Sequence, residues 1–266
     1  MLKGFPTAFV PKHPLRSLRR LYDTTLPETK AHRHSDAQRF WSDSATNPAT
    51  QDLSHWAGKG RWSDEKKWKR IGETHLDMFR TLSQFAPSGQ IPTSMVEWGP
   101  GGGANLVSFA PQMNTLYGVD ISEANLTECL RHLTVLGFTE FRPILIEAGN
   151  PEHVLQAGPH DIDFFLSTAV YQHFPSKDYG VRVTRIAFEL LRPGGLGLIQ
   201  IRYDDDTPRF RGKVRNYQRN AVTFTSYRIP EFWRVLLEVG FSPIAMTLQP
   251  NVNYAYFFCK KRGTDG

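Results

Sequence analysis

The stretch Val96-Glu97-Trp98-Gly99-Pro100-Gly101-Gly102-Gly103-Ala104-Asn105 joins a short apolar run to a cluster of glycines. A strand that enters a helix through a tight turn needs glycines where a Cβ atom would collide, and close approach of backbone N–H groups to a ligand has the same requirement. A second apolar run, residues 116–119, ends at Asp120, whose carboxylate could accept hydrogen bonds from ribose hydroxyls. Together these segments predict a loop that binds a nucleotide cofactor.

The composition is that of a globular enzyme with one large domain. The chain has 266 residues, of which 40% are hydrophobic and 22% charged, so it can bury a substantial core. Cys129 and Cys259 are the only cysteines, and their separation indicates neither a disulfide framework nor a zinc site. No apolar run approaches the roughly 18–20 residues that span a bilayer, and no signal core is apparent. We therefore expect a cytoplasmic protein without a membrane partner.

The positive charge is concentrated at the N-terminus. The formal net charge is +6, and the first 40 residues carry eight basic but only three acidic side chains. We predict a basic arm or lid over residues 1–62, irregular apart from a short helix near residues 15–22, followed by a catalytic domain over residues 63–266 with a polar insertion at 204–227. Such a terminus also resembles an organellar transit peptide, but Pro6, Pro11 and Pro14 would interrupt the required amphipathic helix.

Beyond the arm, strand and helix patterns alternate, which favours a mostly parallel sheet with helices on both faces. A helix capped by Ser63 is predicted to run towards Pro87. The predicted strands cover residues 94–98, 115–120, 141–147, 162–167, 196–203, 243–248 and 254–260. The predicted helices between them cover residues 104–109, 123–137, 177–191 and 230–240.

Four segments, in this order, resemble the class I S-adenosylmethionine-dependent methyltransferase family. They are the glycine loop at 97–103, the strand end at 117–122, Gly-Asn-Pro-Glu at 149–152, and Leu-Leu-Arg-Pro-Gly-Gly at 190–195. The resemblance covers residues 64–261 and implies an α/β, Rossmann-like sheet of seven mostly parallel strands whose last strand is antiparallel. It also implies that S-adenosylmethionine is the cofactor.

The resemblance also implies a set of cofactor-binding residues. Glu97 and the glycines would lie near the methionine portion, Asp120 near the ribose, and Asn150 or Glu147 near the adenine. Asn150 stands where the family usually has aspartate, and an amide oxygen is a weaker acceptor than a carboxylate. The full predicted set is Glu97, Gly99, Gly101, Gly103, Asp120, Ile121, Glu147, Asn150 and Thr168.

The segment after the fourth strand, residues 167–174, bears on the acceptor. It lacks the Asn/Asp-Pro-Pro-aromatic run of enzymes that methylate amino groups of nucleic-acid bases, and it resembles the His-containing segment of small-molecule methyltransferases. We predict that His173 is a general base that deprotonates a hydroxyl. The alternative is that His173 only caps a loop or lines the cofactor pocket. His75 is a second candidate, although no site motif surrounds it.

Two charged segments follow the fifth strand. Asp204, Asp205 and Asp206 could hold a divalent metal ion, but a solvated turn is the favoured interpretation. The next five basic residues could bind a phosphate, a carboxylate or RNA, or could form a solvated lid. They are Arg209, Arg211, Lys213, Arg215 and Arg219.

The combined prediction is an S-adenosylmethionine-dependent O-methyltransferase that acts on a hydroxylated small molecule, with a saccharide or natural product as the favoured acceptor. A nicotinamide-dependent oxidoreductase is the alternative that the glycine loop alone allows. A third interpretation is an RNA-binding protein that retains the methyltransferase fold. We do not expect nucleic acid as a partner, and a homo-oligomer stays open.

Overall fold

The computed structural model describes residues 18–19, 22–86 and 90–263. The helices are α1 (Lys30–Ser42), α2 (Pro48–Leu53), α3 (Glu65–Ser83), α4 (Ala104–Phe109), α5 (Glu123–Val135), α6 (His153–Ala157), α7 (Lys177–Leu190), α8 (Tyr217–Asn220) and α9 (Ile229–Val239). The strands are β1 (Ser94–Trp98), β2 (Thr115–Asp120), β3 (Phe141–Leu145), β4 (Ile162–Ser167), β5 (Leu191–Arg202), β6 (Phe241–Gln249) and β7 (Tyr254–Lys261). Within the described ranges, no helix combines the length and apolar character needed to cross a bilayer.

The strands form one seven-stranded sheet in the order β3-β2-β1-β4-β5-β7-β6. The first five strands pair in parallel, whereas β7 is antiparallel to both β5 and β6. Apolar clusters are buried on the two faces of the sheet, one beneath α7 and α9 and the other beneath α3, α4 and α5. This arrangement confirms the predicted α/β, Rossmann-like fold.

Local sequence signals explain where several helices begin and end. Asp64 accepts hydrogen bonds from the Lys66 and Lys67 amides and caps α3, so the cap is one residue later than the predicted Ser63. Ser122 caps α5 as predicted. Helix α5 ends before Gly137, which has a φ of 74°, and α9 ends at Gly240, which has a φ of 112°.

The predicted start of β5 at residue 196 is wrong. The Arg-Pro-Gly-Gly segment belongs to the strand, which begins at Leu191 directly after α7. A register shift between Ile162 and Phe164 lets β4 pair with this irregular start. The bulge absorbs the proline and glycines that otherwise indicate a turn.

The predicted N-terminal arm, irregular apart from a helix, is more helical than expected, because within the described residues it contains α1 and α2. Thr29 caps α1, and Asn47 followed by Pro48 at the first helical position begins α2. These are ordinary start signals, but neither helix has the apolar period that marks a longer amphipathic helix. Most of the short helix predicted near residues 15–22 lies outside the described residues, as do the three early prolines.

The arm is attached to the 204–227 insertion by a buried ion pair. Asp23 is 2% exposed, and its carboxylate accepts hydrogen bonds from Arg219, Asn216 and Asn220. These bonds keep the pKa of Asp23 below its usual value in spite of burial, which raises it. A small apolar cluster joins Ala37 of α1 to three insertion residues, Tyr217, Ala221 and Phe224.

We predict that Gly72→Ala destabilises the protein even though alanine favours a helix. A Cβ atom at position 72 would collide with the Ala104 carbonyl and the Ser108 side chain, where α3 crosses α4. We expect a loss of about 1–3 kcal/mol in the free energy of unfolding, measured by urea denaturation. Gly149→Ala is the matched control, because a Cβ atom there meets nothing within 4 Å. Equal stability of the two variants would contradict this packing argument.

Candidate functional site

A cavity opens at the carboxyl ends of β1, β2 and β4. The sheet order reverses between β1 and β4, and ligands of open α/β sheets bind at such a switch point. The cavity is lined by the glycine loop, the ends of these strands, α1, the segment after α2, and Tyr217 of the insertion. The arm and the insertion therefore form part of its wall.

The structure brings seven of the ten predicted cofactor and catalytic residues to this cavity. Gly103 is excluded, because it forms the left-handed N-cap of α4 and packs against Cys129. Glu147 and Asn150 instead line an adjoining groove, which shares Ile121 and Ile146 with the cavity. The residues that line the cavity are Glu97, Gly99, Gly101, Asp120, Ile121, Thr168 and His173.

Glu97 is a buried carboxyl group with one unpartnered oxygen. The Asn105 side-chain amide donates to its Oε1 atom at 2.6 Å, while Oε2 has no hydrogen-bond partner. Burial raises the pKa of Glu97 to about 8, and the charge of Asp120 adds to this shift. A cation in the cavity would compensate the buried charge, so this oxygen indicates a cationic ligand group.

Asp120 is the second buried acid of the cavity. Its carboxylate accepts hydrogen bonds from the Ser122 amide at 2.9 Å and from the Asn125 side chain at 3.2 Å. Burial nevertheless raises the pKa of Asp120 to about 6. Each carboxylate oxygen has capacity for another donor, so Asp120 can bind ligand hydroxyls.

His173 stands at the end of a short 3₁₀ turn, Tyr171–His173, beyond β4. Its Nδ1 atom lies 2.6 Å from the Ala221 carbonyl oxygen, which requires a proton on Nδ1 and leaves Nε2 as an acceptor. Burial lowers the pKa of His173 to about 4. The imidazole is therefore neutral near pH 7, and its Nε2 atom accepts a long hydrogen bond from the Gln172 side-chain amide at 3.4 Å.

His75 does not line the cavity. Its Nδ1 atom lies 2.8 Å from Asn105 Oδ1, and the Asn105 amide nitrogen in turn donates to Glu97. His75 therefore holds the Asn105 side chain in place for its bond to Glu97. Burial lowers the pKa of His75, which keeps the ring neutral. This geometry assigns His75 a positioning role. Of the two histidines predicted as candidate bases, His173 is the one that lines the cavity.

The arm contributes Ser54 and His55, which the sequence analysis missed. The Ser54 carbonyl oxygen accepts a hydrogen bond from the Gly102 amide at 2.6 Å, and a Cβ atom on Gly101 or Gly102 would collide with this segment. The glycines thus admit the arm as well as a ligand. His55 has a φ of 58°, and burial lowers its pKa to about 4. No local motif marks these residues, because only the contact between distant segments brings them to the cavity.

Aromatic rings form another part of the cavity wall. The Trp41 indole N–H donates to the Tyr217 hydroxyl at 2.8 Å, and that hydroxyl donates to the His173 carbonyl oxygen. The Trp41 and His173 rings meet edge to face at 4.7 Å. The polar atoms of Trp41 and Tyr217 are therefore satisfied within the protein, which leaves apolar surface towards the cavity.

The three consecutive aspartates all have partners within the protein. Asp204 accepts a hydrogen bond from the Asp206 amide, and Asp205 accepts from the Thr207 amide and hydroxyl. These bonds are those of a turn, as the favoured interpretation expects, whereas Asp206 pairs with the more distant Arg228. Among the described residues, the one group of three acidic or histidine side chains close enough to share a metal ion is Glu28, His32 and Asp36 in the arm.

The basic residues of the insertion also have structural partners. Arg219 pairs with Asp23, Arg215 lies over the Tyr22 ring at 4.0 Å, and Lys213 donates to the backbone carbonyls of Pro208 and Arg211. Arg211 donates to the Asp206 carbonyl at 3.2 Å. Arg215 and Arg219 therefore attach the insertion to the arm, whereas Arg211 and Lys213 bond within the insertion and Arg209 lies over the Phe210 ring at 4.9 Å.

Comparisons with known proteins agree with this geometry. Residues 96–199 match the family model described as a methyltransferase domain. No curated protein matches the chain at the level required for significance.

Solved structures share the fold at low sequence identity. The magnesium protoporphyrin IX methyltransferase from Synechocystis PCC 6803, solved with bound SAH, has a TM-score of 0.57 and 14% identity, and the match covers 86% of this chain and 99% of that one. An S-adenosylmethionine-dependent methyltransferase from Clostridium acetobutylicum ATCC 824 has a TM-score of 0.56 and 11% identity, with coverage of 75% and 93%. The mitomycin 7-O-methyltransferase has a TM-score of 0.54 and 14% identity, with coverage of 87% and 67%.

The matched domain includes the glycine loop and the strand ends that line the cavity, and this assignment replaces the oxidoreductase alternative. Residues 96–199 are therefore similar to the methyltransferase-domain family, and the fold of the chain is that of solved S-adenosylmethionine-dependent methyltransferases.

Proposed function

We propose that this enzyme transfers the methyl group of S-adenosylmethionine to a hydroxyl group of an uncharged small molecule. The observation that carries the proposal is the neutral His173, which lines the same cavity as Glu97 and Asp120 and whose Nε2 atom is an acceptor with only a long bond, 3.4 Å, from Gln172 to exchange for a ligand hydroxyl. A hydroxyl acceptor requires removal of a proton, whereas the sulfonium methyl group is already activated. An amine acceptor that arrives neutral would place less demand on a base.

The residues of the cavity fit the cofactor. Glu97 supplies an unpartnered carboxylate oxygen for the α-ammonium group, and Asp120 supplies acceptors for the ribose hydroxyls. Gly99 and Gly101 leave room for the methionine portion beside the backbone, while Ile121 and Thr168 complete the wall. When bound, S-adenosylmethionine supplies the electrophilic methyl group. Glu147 and Asn150, at the adjoining groove, stay candidates for contact with the adenine.

His173 would accept the hydroxyl proton on Nε2. The Ala221 carbonyl holds the ring in the required tautomer, and the edge of Trp41 limits its rotation. Ala169 has a φ of 57°, and its amide donates to Gln200 at 2.8 Å, so a buried side chain fixes the turn that directs β4 towards His173. The base is therefore positioned before the acceptor arrives.

The wall of the cavity favours a neutral acceptor. Among the described residues, no lysine or arginine lines it, so an anionic group on the acceptor would lack a counter-ion. The rings of Trp41, Phe174 and Tyr217 offer apolar surface to a flat or ring-shaped molecule. A natural product with few charges or a neutral saccharide fits these requirements, and the mitomycin enzyme is a structural precedent for the former.

Asp120→Ala should abolish most of the cofactor affinity. Loss of a carboxylate that accepts from ribose hydroxyls should weaken binding of S-adenosylhomocysteine about 100-fold, as measured by isothermal titration calorimetry. Asp205→Ala is the matched control, because Asp205 is exposed, lies outside the cavity and bonds Thr207 and Asn253. A magnesium-dependent loss of affinity in the control would instead support the metal interpretation of the aspartates.

Cofactor affinity should rise with pH between about 6 and 8. The pKa of Glu97 is about 8 in the free protein, and pairing with an ammonium group lowers it, so binding releases a proton below that pH. The affinity for S-adenosylhomocysteine should increase by up to about tenfold per pH unit and level off near pH 8. Calorimetry at pH 7 in phosphate and Tris buffers measures the released proton. Glu97→Gln should remove both effects, and a pH-independent wild-type affinity would contradict the assignment.

His173→Ala should reduce kcat by about 100-fold or more with little change in cofactor affinity. The assay measures S-adenosylhomocysteine formed with hydroxylated acceptors, which are first identified by screening neutral phenolic and saccharide compounds with the wild-type enzyme. His160→Ala is the control, because His160 is exposed and lies outside the cavity. Full activity of the His173 variant would remove the general-base assignment and leave His173 as a wall residue.

A further inference from the structure

Two buried polar atoms without a hydrogen-bond partner belong to side chains that line the cavity. They are Oε2 of Glu97 and Oγ of Ser54, on side chains that are 1% and 6% exposed. No other described residue of the cavity wall has such an atom. Native proteins leave few buried polar groups unpaired, so each of these atoms indicates a ligand group.

The two atoms have complementary chemistry. The Glu97 oxygen is an acceptor that becomes anionic, whereas the Ser54 hydroxyl can donate a hydrogen bond. A ligand that carries both a cationic and an anionic group, as the zwitterionic end of an amino acid does, meets both demands.

We propose that Ser54 binds the carboxylate of the methionine portion of S-adenosylmethionine while Glu97 binds its ammonium group. This inference rests on the proposed function and adds that the arm, which lies outside the matched domain, completes the cofactor site. Ser54 is thus a specificity-determining residue that distinguishes nucleosides bearing an amino acid from those without one.

The backbone around Ser54 is held firmly against the glycine loop. The Ser54 amide donates to the Thr50 carbonyl at 2.8 Å at the end of α2, and its carbonyl accepts from Gly102 at 2.6 Å. Two residues further along the chain, the Trp56 indole N–H donates to the Asn125 side-chain oxygen at 2.9 Å. These bonds fix the Ser54 backbone before a ligand arrives, which reduces the entropy lost on binding.

The charge of the cavity is consistent with a zwitterion. Since no lysine or arginine of the described chain lines the wall, a carboxylate would be held by hydroxyl and amide donors and by the ammonium group on the same ligand. An isolated anion would lack that internal compensation. The same wall would therefore reject an anionic ligand and accept a neutral zwitterion.

The test compares S-adenosylhomocysteine with 5′-methylthioadenosine, which lacks the amino-acid end. Calorimetry measures both affinities for the wild type, Ser54→Ala and Ser44→Ala. We expect Ser54→Ala to weaken binding of S-adenosylhomocysteine about tenfold or more and to leave 5′-methylthioadenosine unchanged. Ser44 is a buried serine of the same arm whose hydroxyl bonds Ser122 at 2.6 Å outside the cavity, so its variant should affect both nucleosides equally.

Two results would overturn the inference. Equal losses for both nucleosides in Ser54→Ala would mean that Ser54 only holds the arm, and an unchanged affinity for S-adenosylhomocysteine would mean that its hydroxyl binds nothing there. Wild-type protein that binds neither nucleoside would instead reject the proposed function itself. Thermal melting of each variant verifies that the comparison is made on folded protein.

Discussion

The contact on which the site depends is the bond between the Gly102 amide and the Ser54 carbonyl, 2.6 Å long. It joins the glycine loop to a segment nearly 50 residues earlier, and the absence of a Cβ atom at Gly101 and Gly102 permits this approach. Because the loop also enters α4, the bond positions the arm relative to the sheet. The cavity therefore exists between two parts of the chain, and neither part encloses it alone.

The polar groups of the cavity fall into two regions with different electrostatics. Glu97 and Asp120 are buried acids with raised pKa values, and a cationic or hydroxyl group of a ligand would stabilise the ionised form of each. His173 and His55 have lowered pKa values and stay neutral. The cavity thus combines two acids that become anionic beside a cationic or hydrogen-bond-donating ligand group with two histidines that stay neutral.

The 204–227 insertion binds the arm and holds it in place. Its basic run resembled a binding surface in the sequence, but Arg219 and Lys213 are committed to Asp23 and to backbone carbonyls. The ion pair between Arg219 and Asp23 joins residues more than 190 positions apart, so it could not be inferred from the spacing of charges in the sequence. The same contact brings Tyr217 to the cavity wall, where its hydroxyl connects Trp41 to the backbone of His173.

The sequence by itself determined the sheet, the glycine loop and the acid at the end of β2, because apolar periodicity and glycine positions report local geometry directly. The predicted boundaries of β1, β2 and β4 agree with the observed ones to the residue for the same reason. Only the tertiary structure decided that Ser54, His55 and Trp41 share a cavity with Glu97, that His75 lies behind Asn105, and that Gly103 faces Cys129. These relations depend on long-range packing, for which a single sequence carries no local signal.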